Sequence, residues 1–565
     1  MDNPEQKKLV QKKFHFINSI ENYAKSADSN MCMENFVDIR KSLAEIQEIY
    51  PFYKGKGGIP FLYRDDTAYV DASDSHNLII GSTGSKKTRL VVMPTVKILA
   101  YAEESMIIAD PKAEVFERTA FELKKQGYQV YVINFRNPKV GDCWNPLEIP
   151  FRFFKEGKLD KAREHANDVA INLTLSEVSK KDPYWDRSAY NFLFGLIQLA
   201  FILGKNRAIV SMNDVLQLRT ILFPDNESVN WEYLNIAKTD PIVYHSLLGT
   251  VNAPESTRNS ILSVFDQKVS CFSYQEDLIE MMEESTINLH DIGNKKTAIY
   301  LIMPDEKTTY HQLVSLFIKQ SYEYLIYCAQ QTEQHFFPIR INYILDEFSN
   351  LPAIKDFPAM ISAARSRNIR FSLIVQSFQQ LNSKYGSDAN TIKGNCTNLV
   401  FLNSREIDIL EEISTLCGVQ DNNKRLFTVF GLQHLNKEKG QAIILSDRLF
   451  PFLTELIDIE KFDKGIYEHL ELNERVSKGY HKPITYEFDE MIAHRENIEK
   501  DYEEKEHELR KKEEELLKEK MELLEKEVRL DKKEKELDEK EYMLAIKEQE
   551  LNKIRNDKNG ETQYG

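Results

Sequence analysis

Between Gly81 and Thr88 the chain reads GSTGSKKT. A phosphate-cradling loop follows G-x-x-x-x-G-K-[ST]. Its backbone N–H groups point inward, its lysine reaches the outer phosphates, and its Ser or Thr hydroxyl holds Mg2+. Lys86 is the single mismatch, standing where the second glycine belongs. The surroundings suit the motif: the apolar run NLII leads into Gly81, and a helical pattern follows Thr88. Gly81, Ser82, Thr83, Gly84, Ser85, Lys86, Lys87 and Thr88 are therefore candidate nucleotide-binding residues, and Thr88 is a candidate metal ligand. Lys86 brings a Cβ and a long side chain to a place where the backbone lies close to the nucleotide. Either the side chain points outward and leaves a weaker site, or the site is lost.

A second group is ILDEFSNLP, Ile344–Pro352, where a hydrophobic strand ends in two adjacent acids. Asp346, at the strand tip, would stand on the metal side through water. Glu347 would orient and deprotonate the attacking water. Acid pairs at strand ends are common, so this one gains meaning only beside the loop. Gln376 ends the next strand, FSLIVQ, and can sense a γ-phosphate or merely cap the strand. Between these strands, AARSRNIR carries Arg365 and Arg367. They are either arginine fingers acting across a subunit boundary or solvated surface residues.

These groups need a scaffold. Apolar strand-like runs alternate with helical patterns: NLIIG, SMIIADP and QVYVINF first, then TAIYLIMP, INYILDEF, FSLIVQS, NLVFLNS and QAIILS. This is α/β patterning with a mostly parallel sheet. Between about 150 and 285 the strand-like runs vanish and helical periodicity takes over, which predicts an all-α domain inserted into the α/β domain. The predicted organisation is a helical N-terminal region (1–55), a nucleotide-binding domain in two parts (56–150 and 286–475) around the helical insert (151–285), a linker (476–495), a long charged helix (496–556) and a disordered tail (557–565).

The long helix rests on Leu509, Leu516, Leu523, Leu530, Leu537, Leu544 and Leu551, seven residues apart. The second core position of the heptad is filled by Lys or Glu after each of the first six, so the pattern fits a weak coiled coil or a solvated single helix carrying many i,i+4 charge pairs. Its Asp501–Glu550 stretch holds 20 acidic and 13 basic residues, a large share of the net charge of −15. Such a balance argues against a protein that coats nucleic acid indiscriminately, but not against a ring with local basic loops.

The six cysteines are scattered without C-x-x-C pairs, which argues against zinc or redox chemistry. No apolar run reaches eighteen residues, and the most apolar stretch, Asn191–Gly204, is too short to span a bilayer. The N-terminus has no apolar core, so neither a signal peptide nor a membrane anchor is expected.

Four blocks, HNLIIGSTGSKKTRLVVMP, MIIADPKAEVFERTA with the later WNPL, YWDRSAYNFL, and LDEFSNLPAIKDFPAMISAARSRNIRFSLIVQSFQQLNSKYG, occur in that order over about 76–450. They resemble those of the type IV coupling proteins, the conjugative DNA-transfer ATPases of type IV secretion systems, in the FtsK–HerA class. The resemblance implies a RecA-like domain with an inserted all-α domain, ATP and Mg2+ as cofactors, and a homo-hexameric ring, with monomer or dimer as alternatives without DNA. It implies a relaxase–single-stranded DNA complex as cargo and the secretion channel ATPase as partner. By position, Lys87 and Thr88 match the family's nucleotide and Mg2+ residues, Asp346 and Glu347 its acid pair, Gln376 its sensor and Arg365 its arginine finger.

Lys86 departs from the family loop, and Ala113 replaces a frequent glycine of its DPKGE block. Most members also carry N-terminal membrane helices. A chain without them would be cytoplasmic and recruited to the inner face of the membrane by a small membrane anchor protein. Two alternatives stand beside the coupling ATPase of a plasmid or integrative element: a nucleotide-impaired receptor or adaptor ring, and a related DNA pump of the same class.

Overall fold

The computed structural model describes residues 57–64, 67–175, 182–225, 228–304, 310–419, 424–446, 449–462, 467–476 and 484–560. The helical expectation for 1–55 lies outside them, as does the end of the tail, 561–565. The described residues up to Thr485 form one compact unit, and those from Tyr486 a second.

The first unit is built on one nine-stranded sheet. Its strands are β3 (Asn77–Gly81), β4 (Ser105–Asp110), β5 (Gln129–Asn134), β6 (Thr297–Ile302), β7 (Ile341–Leu345), β8 (Ile369–Val375), β9 (Asn398–Asn403), β10 (Gln441–Ser446) and β11 (Leu449–Glu455), in the order β11-β10-β9-β3-β8-β7-β4-β6-β5. A separate hairpin, β1 (Pro60–Arg64) and β2 (Thr67–Val70), precedes it. Every pair from β9 to β5 is parallel, while β10 and β11 extend the sheet antiparallel. Strands β3, β4, β6, β7 and β8 are buried along their whole length. That is why they read as continuous apolar runs and not as alternating ones.

Register brings distant tips together. Ile80 pairs with Val375, and Leu345 pairs with Ala109 on one side and Leu373 on the other. The strands are parallel, so Gly81, Gln376, Asp346 and Asp110 emerge along one edge. Ligand sites of open α/β sheets form at this carboxyl edge.

Between β5 and β6 every described regular element is helical, from Glu148–Lys155 to Glu276–Met281. These helices join the sheet unit through Leu159–Thr174, which packs on His311–Gln331. The Gln312 amide donates to the carbonyls of Asn172 (3.0 Å) and Leu173 (2.6 Å) across that contact. The apolar Asn191–Gly204 stretch forms the C-terminal two-thirds of the Tyr184–Leu203 helix and its Gly204 cap. Among the described residues, no helix is long and apolar enough to cross a membrane.

The described residues of the second unit are helical, within a helix that runs Thr485–Gly560. It starts earlier and ends later than the predicted 496–556, so part of the expected linker and tail is helical. The reason is local: from Ile484 to Asn559 there is no Pro or Gly to interrupt it. Its seven heptad leucines are all exposed, by 61–66%.

Candidate nucleotide site at the carboxyl edge of the sheet

The loop after β3 is closed by its own backbone. Ser82 N–H donates to the Asn403 carbonyl of β9 (3.0 Å), and Ser85 N–H to the Ser82 carbonyl (3.1 Å). Gly81 has no room for a side chain, because a Cβ there would collide with Ser85 Oγ and crowd Lys87. Gly84 has φ +78, which only glycine adopts freely. Thr88–Val92 forms a π-helical first turn that continues as Met93–Tyr101.

Lys86 resolves the question its position raises. It has φ +64, the left-handed conformation for which a glycine is suited. That geometry turns the side chain outward, where Nζ meets Glu438 Oε2 at 2.6 Å. Lys87, by contrast, is buried and donates through Nζ to the Gly81 carbonyl at 2.6 Å. Burial lowers its pKa, opposed by the nearby Glu347 and Asp346 carboxylates. Ser85 Oγ is also buried, without a hydrogen-bond partner, inside the loop.

The acid pair lies across from the loop. Thr88 Oγ1 donates to Asp346 Oδ2 at 2.9 Å. Gln376 Nε2 donates to Glu347 Oε2 at 2.7 Å, and Thr83 Oγ1 donates to Gln376 Oε1 at 3.1 Å. Thus Thr83, Gln376 and Glu347 form one hydrogen-bonded chain. Burial, reinforced by the Glu347 carboxylate, pushes Asp346 up to about 6 against the lowering effect of Thr88 and Lys87. Glu347 has φ +54, a backbone conformation that costs a non-glycine residue free energy and is typical of functional positions.

Arg365 is elsewhere. It sits just before β8, at the opposite end of the sheet from the loop, and its guanidinium pairs with Asp74 at 3.1 Å on the surface. Arg367 shares that short turn. The structure therefore does not bring Arg365 to the pocket of its own chain.

Sequence reasoning missed two residues. Asp110 ends β4 beside Asp346; it is buried, accepts from Phe116 N–H at 2.8 Å, and is pushed up to about 7 by burial, with Asp346 adding to the effect. The signal was present, because SMIIAD ends in an acid just as INYILD does. Glu438, the partner of Lys86, carried no signal at all. Ala113, the other position that departs from glycine, also has a left-handed φ of +62 and caps the helix Glu114–Lys125.

The sequence family described as Type IV secretory system Conjugative DNA transfer matches residues 14–441. The chain is similar to Protein VirD4 of Rhizobium radiobacter, 22% identical over 324 residues, covering 56% of this chain and 44% of that protein. It is also similar to Protein VirD4 of Rhizobium rhizogenes, 21% identical and covering 45% of that protein. The match spans less than half the length of these curated relatives. Among solved structures it resembles the bacterial conjugative coupling protein TrwB in its unbound monoclinic form, with TM-score 0.53 and 14% identity, covering 74% of this chain and 90% of that one. The plasmid coupling protein TrwB in complex with the non-hydrolysable ATP analogue ADPNP gives TM-score 0.53 and 14% identity, covering 74% and 92%. At that identity the likeness is one of fold, the RecA-like architecture.

Proposed function

The chain belongs to the type IV secretory system conjugative DNA transfer family, and from that premise we propose that it is a coupling ATPase. It collects a relaxase bound to single-stranded DNA and drives it toward the secretion channel by ATP hydrolysis. The observation that carries this reading is the convergence of Lys87, Thr88, Asp346, Glu347 and Gln376, from three separate segments, on one sheet edge.

The donor set fits a nucleotide with Mg2+. The loop offers a buried lysine and an unpartnered Ser85 hydroxyl, and the Thr88 hydroxyl and Asp346 carboxylate are hard oxygen ligands. Mg2+ bound there would neutralise charge on the phosphate oxygens. Thr88 would hold the ion directly and Asp346 through water. Lys87 would turn from the Gly81 carbonyl to the outer phosphates. Glu347, held by Gln376, would orient the attacking water and accept its proton. Gln376, tied to Thr83 of the loop, would link the loop's state to the position of Glu347.

Arg365 suits a role on a neighbouring subunit, because it lies at the far end of its own sheet. We therefore assign the working state to a homo-hexameric ring in which Arg365 reaches the next subunit's nucleotide. The secretion channel ATPase and a small membrane anchor protein complete the set of partners, with the ring recruited to the inner face of the cell membrane.

Against an adaptor ring that holds cargo without turning nucleotide over stands the outward course of Lys86, which leaves Thr88 and Asp346 in direct contact. ATP turnover with and without single-stranded DNA tests the proposal. The full chain hydrolyses ATP faster with DNA, and Glu347→Gln loses at least a hundredfold. An inactive wild-type chain under both conditions would leave the adaptor.

A further inference from the structure

Away from the nucleotide edge, three ligand-bearing side chains meet where the helical insert packs on the sheet unit. His165 and Asp168 are three residues apart on Leu159–Thr174, so they project from one face. Glu323 faces them from His311–Gln331. One ring nitrogen of His165 and one carboxylate oxygen from each acid lie within 4.8 Å of one another. The imidazole is 4% exposed and stacks on Phe153, with ring centroids 5.2 Å apart. Its Nδ1 is sealed from solvent and has no hydrogen-bond partner.

A sealed, unpartnered imidazole nitrogen beside two carboxylates calls for a ligand. Native interiors pair nearly all such groups, and each one left unpaired costs about 1–3 kcal/mol. Lys319 supplies one cation beside the cluster: its Nζ is 2.5 Å from Glu323 Oε1 and 3.2 Å from Asp356 Oδ2, and its charge also reaches Asp168. Asp168 lies within hydrogen-bond reach of Glu323, while the imidazole Nδ1 of His165 is left without a partner. An imidazole and a carboxylate at i,i+3 on one helix, with a carboxylate on the facing helix, are ligands that helical bundles use for transition metals. One nitrogen with two carboxylates suits Zn2+ or Mn2+ better than Mg2+ or Ca2+, which prefer oxygen alone.

We propose that His165, Asp168 and Glu323 bind one divalent transition-metal ion of the zinc or manganese class. The ion is structural. It clamps the insert onto His311–Gln331, the helix that leads into acid-bearing β7 and whose Lys319 also holds Asp356 at the start of Phe357–Ala364. Nothing in this assignment depends on ATP hydrolysis.

The test uses the full chain, stripped of metal and free of nucleotide, titrated with Co2+ and then Zn2+. One equivalent of Co2+ gives a visible ligand-field band, Zn2+ displaces it, and the thermal midpoint rises. His165→Asn and Asp168→Asn each lose the band and weaken binding at least tenfold, while Thr88→Ala keeps both. Circular dichroism checks that the variants fold, and Asp168→Asn alone suffices should His165→Asn unfold. The proposal is overturned if the wild-type chain binds no stoichiometric Co2+ or Zn2+, or if the band survives in a folded Asp168→Asn chain.

Discussion

Thr88 Oγ1 donates to Asp346 Oδ2 across 2.9 Å, joining the first turn of the helix after the phosphate loop to the tip of β7. The two residues are 258 positions apart in sequence. If this pair is the metal seat of a nucleotide site, Thr88→Ala and Asp346→Asn should each remove the Mg2+ dependence of nucleotide affinity. Titration with a fluorescent ATP analogue, with Mg2+ and with EDTA, measures it. Equal Mg2+ dependence in both variants and the wild type would separate the pair from the metal.

The titration of Asp346 has two consequences. Its folded pKa of about 6 lies above the ordinary carboxylate value, so the native state binds the extra proton between roughly pH 4 and 6. Stability attributable to this group therefore falls as pH rises through that window. Asp346→Asn should stabilise the unliganded chain at pH 7 by about 3 kcal/mol, and the gain should shrink toward pH 4. Denaturant unfolding at several pH values reads this directly. Mg2+-dependent binding has the opposite sign: it needs the ionised carboxylate and should weaken as pH drops below about 6.

Lys86 and Ala113 both hold left-handed backbone, with φ +64 and +62. Each is a position at which glycine would remove strain. Lys86→Gly and Ala113→Gly should each raise stability by about 1 kcal/mol, less whatever the added freedom of the unfolded chain takes back. Thermal unfolding measures it. The Lys86–Glu438 ion pair is largely solvated, so Glu438→Gln should leave stability unchanged within experimental scatter.

Arg365 and Glu347 give a test of action between subunits. Arg365→Ala should abolish hydrolysis while preserving nucleotide binding, as should Glu347→Gln. Mixing the two inactive variants should restore part of the activity, because some boundaries then pair an intact Arg365 with an intact Glu347. Asp74→Ala, which frees the Arg365 guanidinium from its surface partner, should leave hydrolysis unchanged or raise it. No recovery on mixing would remove the arginine from the mechanism.

Much of the scaffold was legible because burial writes itself into sequence. Strands such as INYIL and IRFSLIV are covered on both faces, so their composition alone marked them as central parallel strands. The loop, the acid pair and Gln376 could be picked out for the same reason, since each ends such a run. What stayed hidden depends on backbone angle or distant partners. The direction of Lys86 follows from its φ and from Glu438, 352 positions away, neither of which leaves a local pattern. His165 and Asp168 stand at i,i+3 in the sequence, but Glu323, which completes the cluster, comes from a different helix and left no spacing signal. The long helix begins well before its first heptad leucine, Leu509, because its start is set by the last helix breaker, Pro483, and not by the leucine repeat.

The central claim is that a loop with lysine in place of its second glycine still forms a working nucleotide site. Equilibrium binding of a non-hydrolysable ATP analogue with Mg2+ tests it most directly, on the wild-type chain, Lys86→Gly and Lys87→Ala. The account predicts binding by the wild type within about tenfold of Lys86→Gly, and none by Lys87→Ala. Binding by Lys86→Gly alone, with a silent wild type, would contradict it.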